Sequence, residues 1–494
     1  MTPVNKPDAP KTFGKHLLLG SAWMIGARWA TRLIGLVSTM ILARLLAPED
    51  FGLIAMVMLA YGLLETISYA GVDLALMRAG ADTREHYDTA WTVQIMQGCF
   101  IAALMLLASP YIAAYFSEPR LVQVIYFVAP RAVIDCLQNI GVVAFRKELD
   151  FAKEFRFTLY NKLLNFCFVI AAALWFQNYW ALVLGALTAS IIGVVTSYVM
   201  HPYRPQLSLA RITEIWSFSQ WLIISRIGSF LNRKCDEFIV GGAVGTTAMG
   251  NYHVAGELAT LPSIELVMPI RRAMFPSLAK MMGQPQAFGE AVLSSFSAIA
   301  AMCLFVGFCL MAVAPEFVAV VLGQRWLGAV PIIEWLSLFG CFSALVLVLE
   351  VPLWVSGKTR ISAAQTWFEL ALVAPLTWFA VKGFGVEGAA AARAAVALLM
   401  VPLMMVLTAR TGSVSFLQLA GALWRPLLAA LAMSGLAMSV PLLLGSALLT
   451  LVVKGALCFA IYPVVLGGLW VLAGRPPGFE TAAAAQLNKV LRRS

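Results

Sequence analysis

Residues 20–44 read GSAWMIGARWATRLIGLVSTMILAR, a run apolar enough to span a bilayer that nevertheless carries Arg28 and Arg32 near its middle. At i,i+4 spacing the two cations share one helix face, and Ser21, Gly35, Ser38 and Thr39 continue roughly the same stripe, so one side of the helix is polar and the other apolar. Lipid cannot lie against the polar side. A central arginine costs at least ~2.5 kcal/mol on insertion scales, so this face is expected to look into a helix bundle or a wet cavity, and its charges become functional candidates.

The rest of the chain has the same character. Of 494 residues, 61% are hydrophobic and 12% charged, against about 25% charged in a soluble domain, and the mean hydropathy is +0.84. An all-α polytopic membrane protein follows. The net charge of +10 does not mark a nucleic-acid surface, because the basic residues gather at the ends of apolar segments, where they report topology. The cysteines show no CxxC pair and no Cys/His cluster, so neither a disulfide framework nor a zinc site is expected. A phosphate loop, metal-ligand spacing and an extramembrane Ser/His/Asp set are equally absent from the sequence, so neither a cofactor nor enzymatic activity is expected. MTPVNKPDAPKTFGKH leads into a long span without an A-x-A-like site, which argues against a cleaved signal peptide.

About 20 mostly apolar residues make a spanning helix, and fourteen such segments are predicted: 17–43, 51–77, 90–116, 121–145, 156–176, 179–200, 215–243, 248–270, 290–314, 330–355, 361–381, 386–408, 426–445 and 449–472. With the N-terminus inside, the connections on the inner side hold most of the Lys and Arg, whereas Arg44, Arg120, Arg325 and Lys382 are those on the outer side. That bias recurs loop after loop and places both termini in the cytoplasm.

A shift of 198 residues aligns SAWMIGAR (Ser21 to Arg28) with SQWLIISR (Ser219 to Arg226), setting Trp23 on Trp221, Arg28 on Arg226 and Gly52 on Gly250. Internal duplication is common in transporters. The expected organisation is two pseudo-symmetric six-helix lobes, 1–205 and 206–412, around a central cavity, followed by two additional transmembrane helices in 413–474 and a basic cytoplasmic tail, 475–494.

Acids and bases inside the spans nearly balance, which allows structural pairing, and for Arg131 and Asp135 on one helix face that reading is favoured. Arg28, Arg32 and Arg226 lie instead at mid-depth on the helices that open the two lobes, where a two-lobed transporter places its central site. They are candidates for anion contact, as is Lys162 beside Asn161 and Asn165, because a guanidinium keeps its charge when buried and pairs with phosphate through two parallel hydrogen bonds. Arg32 has an alternative partner in Glu65 or Asp73. Glu65, Glu257 and Glu369 lie well inside spans and are candidates for carrying a coupling proton, with permanent pairing to arginine as the alternative. His253, one turn before Glu257, is a candidate relay. Pro262 and Pro269 interrupt one span and mark a candidate hinge.

LARLLAPEDFGLIAM (Leu42 to Met56), FRKELDF (Phe145 to Phe151) with YWALVLG (Tyr179 to Gly185), and GTTAMGNYHVAGELATLPSIELVMPIRRAMFPSLA (Gly245 to Ala279) resemble the polysaccharide transporter (Wzx-like) family of the multidrug/oligosaccharidyl-lipid/polysaccharide (MOP) exporter superfamily. The resemblance implies two helix bundles rocking about a central cavity in the bacterial inner membrane. It also implies that they move an undecaprenyl-pyrophosphate-linked oligosaccharide outward for exopolysaccharide, capsule or lipopolysaccharide assembly, with the polysaccharide polymerase as a partner. A lipid II flippase for peptidoglycan and a cation-coupled multidrug exporter are the alternatives. A membrane-embedded glycosyltransferase would need a large outer loop, which this sequence lacks.

Overall fold

Long apolar runs separated by short connections rich in Pro, Gly and charge form helices and little else. The computed structural model describes the backbone of residues 10–68, 76, 83–147, 150–412, 414–440, 445–476, 479 and 481, leaving aside the side chains of 10–25, 27–28, 146–147, 151, 213–225 and 262–264. Asp73 and most of the basic tail lie outside the described residues. The long helices are α1 (Pro10–Leu45), α2 (Pro48–Ser68), α3 (Arg84–Tyr115), α4 (Arg120–Cys136), α5 (Phe151–Phe176), α6 (Trp180–Met200), α7 (Ile212–Val244), α8 (Thr246–Lys280), α9 (Pro285–Phe317), α10 (Val330–Val355), α11 (Thr359–Ala409), α12 (Phe416–Met438) and α13 (Ala447–Leu472). No strand occurs among the described residues. By length and composition, nine of the described helices can cross a membrane. Side chains such as Leu107, Trp175, Phe379 and Val464 are largely exposed on them, as expected where the surrounding solvent is lipid.

The chain divides into two compact units, Met1–Phe230 and Leu231–Ser494, and the division falls within α7. In unit 1 the connections sort to two ends. At one, the Asp50 carboxylate accepts from the amides of Ala47 and Tyr179, both at 2.9 Å, while Arg120 bridges Glu49 and Glu118 at 2.6 and 2.7 Å. At the other, the fully buried Asn139 donates to the carbonyls of His201 and Tyr203. There the segment 201–211 is strapped across the start of α3. Asp88 accepts from Tyr203 Oη at 2.7 Å and Gln206 N at 2.8 Å, Thr92 Oγ1 accepts from Ser208 N at 2.9 Å, and Arg211 pairs with Glu85 at 3.1 Å. Successive connections thus fall at opposite ends, so α2 to α6 alternate in direction.

In unit 2, α11 is 51 residues long, with a non-helical Gly385 (φ 62°, ψ −146°) inside it. A straight helix of that length would extend about 77 Å. Yet Lys358, just before it, donates through Nζ to the carbonyl of Arg410, just after it, at 3.0 Å. The two halves therefore fold back on each other at Gly385, whose positive φ suits a residue without Cβ. The expected segments 361–381 and 386–408 are these two halves. The core of unit 2 runs through α8–α13 and includes Phe296, Leu304, Val348, Met400, Met433 and Cys458.

One close contact occurs in both units. A Cβ on Gly98 of α3 would fall 2.6 Å from the Ala132 carbonyl and 2.9 Å from Cys136 Sγ on α4; a Cβ on Gly307 of α9 would fall 2.9 Å from the Ser337 carbonyl and 2.7 Å from Cys341 Cβ on α10. In each case a glycine lets one helix lie against the carbonyl ridge of the next, with a cysteine one turn beyond the carbonyl.

Candidate functional site

Two groups of charge among the described residues of unit 1 lie away from the helix ends. In the first, the Lys162 ammonium on α5 reaches α1, where Nζ stands 3.8 Å from a Cβ placed on Gly35. Arg32 lies three residues before Gly35, on the same side of α1, and is half-buried. Thirteen residues separate Arg32 from the end of α1 at Leu45, about 20 Å along the axis, near the middle of the expected span 17–43. Asn161 and Asn165 flank Lys162, and their Oδ1 atoms are buried without a hydrogen-bond partner among the described residues. Two predicted cations are thus brought to one stretch of the α1–α5 interface.

The second group joins α2, α4 and α7. Arg131 Nε donates to Asp135 Oδ2 at 3.2 Å, and Tyr61 Oη donates to the same oxygen at 3.5 Å. The Arg131 guanidinium also stands 5.5 Å from the centre of the Tyr61 ring. The predicted i,i+4 pair is therefore formed, with an unpredicted tyrosine completing it. Glu65, one turn beyond Tyr61, is exposed and interacts electrostatically with Asp135, Arg131 and Arg226. Gly62 places α2 against α7, since a Cβ there would approach Phe230 to 3.1 Å. Arg226, one turn before Phe230, is exposed. The Arg28 side chain lies outside the described residues.

Unit 2 holds its charges differently. Asp236 of α7 accepts from Tyr252 Oη of α8 at 2.7 Å and stands 3.7 Å from Arg393 Nε of α11. The Arg393 guanidinium donates to the Asn232 carbonyl at 2.6 Å and lies 4.7 Å from the centre of the Phe339 ring. Both charged side chains are buried, at 4% and 8% exposure. Next along α7, Glu237 takes Lys234 on one oxygen and faces His253 Nδ1 with the other at 3.3 Å. Glu257 is exposed one turn after His253. Glu369 is half-buried and accepts from Gln365 at 2.9 Å. Of the hinge candidates, Pro269 is exposed on α8, and the Pro262 side chain lies outside the described residues.

Two further ion pairs occur in unit 2. Arg271 pairs with Glu350 at 3.0 Å under the Trp354 ring. Lys454 of α13 donates to Glu316 of α9 at 2.7 Å with both side chains buried. These long-range pairings, like that of Arg393, were not predicted from the sequence. The signal available was an isolated Arg in the small-residue run AAAARAAVA (Ala389 to Ala397), where any charge needs a partner inside the bundle.

A sequence model of a family described as polysaccharide biosynthesis proteins matches residues 41–331. The chain is 23% identical over 364 residues to a membrane protein of the cps region of Klebsiella pneumoniae, covering 72% of this chain and 75% of that one. It is 24% identical over 330 residues to the lipopolysaccharide biosynthesis protein WzxC of Escherichia coli (strain K12), covering 64% and 66%. Among solved structures it superposes on the lipid II flippase MurJ in an inward closed conformation with a TM-score of 0.74, at 12% identity and covering 93% of this chain and all of that one; at such identity the likeness shows the fold alone. The chain belongs to the family of polysaccharide biosynthesis proteins.

Proposed function

We propose that the chain flips a polyprenyl-pyrophosphate-linked oligosaccharide across the bacterial inner membrane by alternating access, for exopolysaccharide, capsule or lipopolysaccharide assembly. The family match over 41–331 carries this reading. Membrane-crossing helices with cations at mid-depth supply what such a substrate needs: a polar route for the headgroup, with the tail left in lipid. Arg28, Arg32, Arg226 and Lys162 are the groups we assign to pyrophosphate, whose two negative centres suit guanidinium and ammonium donors. An inside-negative potential favours outward movement of the headgroup by ~2.3 kcal/mol per charge per 100 mV.

The accompanying architecture is fourteen spans with both termini cytoplasmic: α1 to α10, the two halves of α11, then α12 and α13. The fold-back at Gly385 and the alternating ends of unit 1 support that count. The repeated glycine–cysteine contact supports two pseudo-symmetric six-helix lobes, 1–205 and 206–412. Glu65, Glu257 and Glu369 are the carboxylates we assign to coupling, Pro262 and Pro269 the hinge, and the polymerase a partner.

The test is polymer output from a host lacking its own copy of the gene. Arg28→Ala and Arg226→Ala should insert normally and impair export, whereas wild-type output from the stably inserted double variant eliminates the anion site. The MurJ-like fold favours a second reading, a lipid II flippase. Rescue of a strain depleted of its lipid II flippase, without restored polymer, would select it.

A further inference from the structure

We propose that His253 and Glu237 form a single exchangeable proton site in unit 2, with exposed Glu257 as its entry and Lys234 as its fixed counter-charge. Its use in coupling rests on the flippase reading, whereas proton binding itself does not. The observation is a carboxylate shared between two bases. Glu237 gives one oxygen to Lys234 and turns the other to His253 Nδ1 at 3.3 Å. Lys234 alone balances its charge, so the histidine is not needed for neutrality. Exposure is graded: the Glu237 side chain is 12% exposed, His253 26% and Lys234 34%, and Glu257 lies open one turn along α8. His253 lies seven residues from the start of α8, about 10 Å from that end of the helix.

Asp236 next door cannot play this part, because its partners are Tyr252 and Arg393, which keep their protons throughout the neutral range. Imidazole alone in this cluster changes charge between about pH 5 and 8 in its unperturbed state. The other charged groups on elements packed against α8 are engaged elsewhere or open. Glu350 is held by Arg271, Glu316 by Lys454, and Glu369 by Gln365. Glu334 lies beside Glu387, Glu290 meets Gln286, and Arg325 is exposed. On α8 itself, Glu257 is the remaining charge that acts on the ring.

The proton balance is simple. Neutral His253 keeps its Nδ1 hydrogen toward Glu237 and takes one proton on Nε2, and release returns it. The Lys234–Glu237–His253 set moves from net zero to +1 and back. Changing a charge in a poorly solvated place favours a different arrangement of its surroundings, here of α7 against α8, which the site ties together. Shifted back by 198, Lys234, Glu237, His253 and Glu257 fall on Leu36, Thr39, Ala55 and Leu59, so this repeat leaves one such site per chain.

The test needs no transported lipid. Proteoliposomes of the purified full chain on a solid-supported membrane are stepped from about pH 8 to about pH 6, the range of an unperturbed imidazole, and the transient charge displacement is recorded. Wild type should give a saturable transient. His253→Gln should lose most of it, His16→Gln should retain it, and Glu257→Gln should slow its rise while keeping its total charge. Size-exclusion profiles matched to wild type establish that each variant is folded. Absence of a transient in wild type, or a wild-type transient in folded His253→Gln, overturns the proposal. Polymer output from the deletion host bears on the flippase reading alone, so the two can fail separately.

Discussion

An arginine, a carboxylate and a tyrosine meet in each unit, but in different surroundings. In unit 1 they are Arg131, Asp135 and Tyr61, with the two charged side chains 23% and 39% exposed. In unit 2 they are Arg393, Asp236 and Tyr252, at 4% and 8%. The open set joins neighbours on one helix to a tyrosine from another; the closed set draws on three helices, α7, α8 and α11. The same chemistry therefore has different consequences. Where a pair opens on a wet cavity, it gains little Coulomb energy over its hydrated parts. A buried pair is held chiefly because either charge without the other is intolerable.

Breaking one partner at a time should expose that difference. Arg393→Ala leaves Asp236 buried with only Tyr252 and should cost about 3–5 kcal/mol, read as loss of monodisperse protein and a lowered Tm. Arg131→Ala should cost under about 1 kcal/mol, read by the same melt; an equal fall in both variants would erase the distinction. The Lys454–Glu316 pair sharpens it from another side. Lys454→Met alone should destabilise by about 3–5 kcal/mol, while Lys454→Met with Glu316→Leu should return close to wild type, because removing both charges removes the desolvation penalty with the attraction.

Smaller effects follow from the close helix contacts. Gly98→Ala and Gly307→Ala each press a Cβ within 3 Å of backbone carbonyl oxygen and should cost about 1–3 kcal/mol; a neutral result at one site only would separate the units again. A small change is also expected at Asp150, outside the bilayer, whose side chain caps α5 by accepting from Lys153 N at 3.1 Å. Asp150→Ala should cost about 0.5–2 kcal/mol, at the low end for an exposed cap. Lys153 holds the Asp150 carboxyl below its usual range. The cap is therefore fully effective above the unfolded carboxyl's pKa and fades as pH falls through the lower folded value. A melt repeated in acid should show the wild-type advantage disappearing.

What could be read in advance was local. The Arg131–Asp135 pair follows from i,i+4 spacing on one helix, and the two halves of α11 follow from apolar runs broken by Lys382, Gly383 and Gly385. Partners far apart in sequence were not legible. Arg393 finds Asn232, 161 residues away, and Lys454 finds Glu316, 138 residues away, and neither separation leaves a periodic trace. Nor did the segment 201–211 announce itself, since Asp88, Thr89 and Thr92 read as an ordinary helix start until the chain returns to them. Arg32 and Lys162 illustrate the middle case: each was singled out separately, and only packing of α1 on α5 across Gly35 brought them together.

The Lys454–Glu316 pair also dictates an order of events during synthesis. Glu316 enters the membrane long before the ribosome has made residue 454, so α9 must wait with a carboxyl that has no cation. The nascent bundle must keep that region hydrated until α13 arrives. Chains stalled or truncated ahead of α13 therefore carry a carboxyl whose cation has not yet been made.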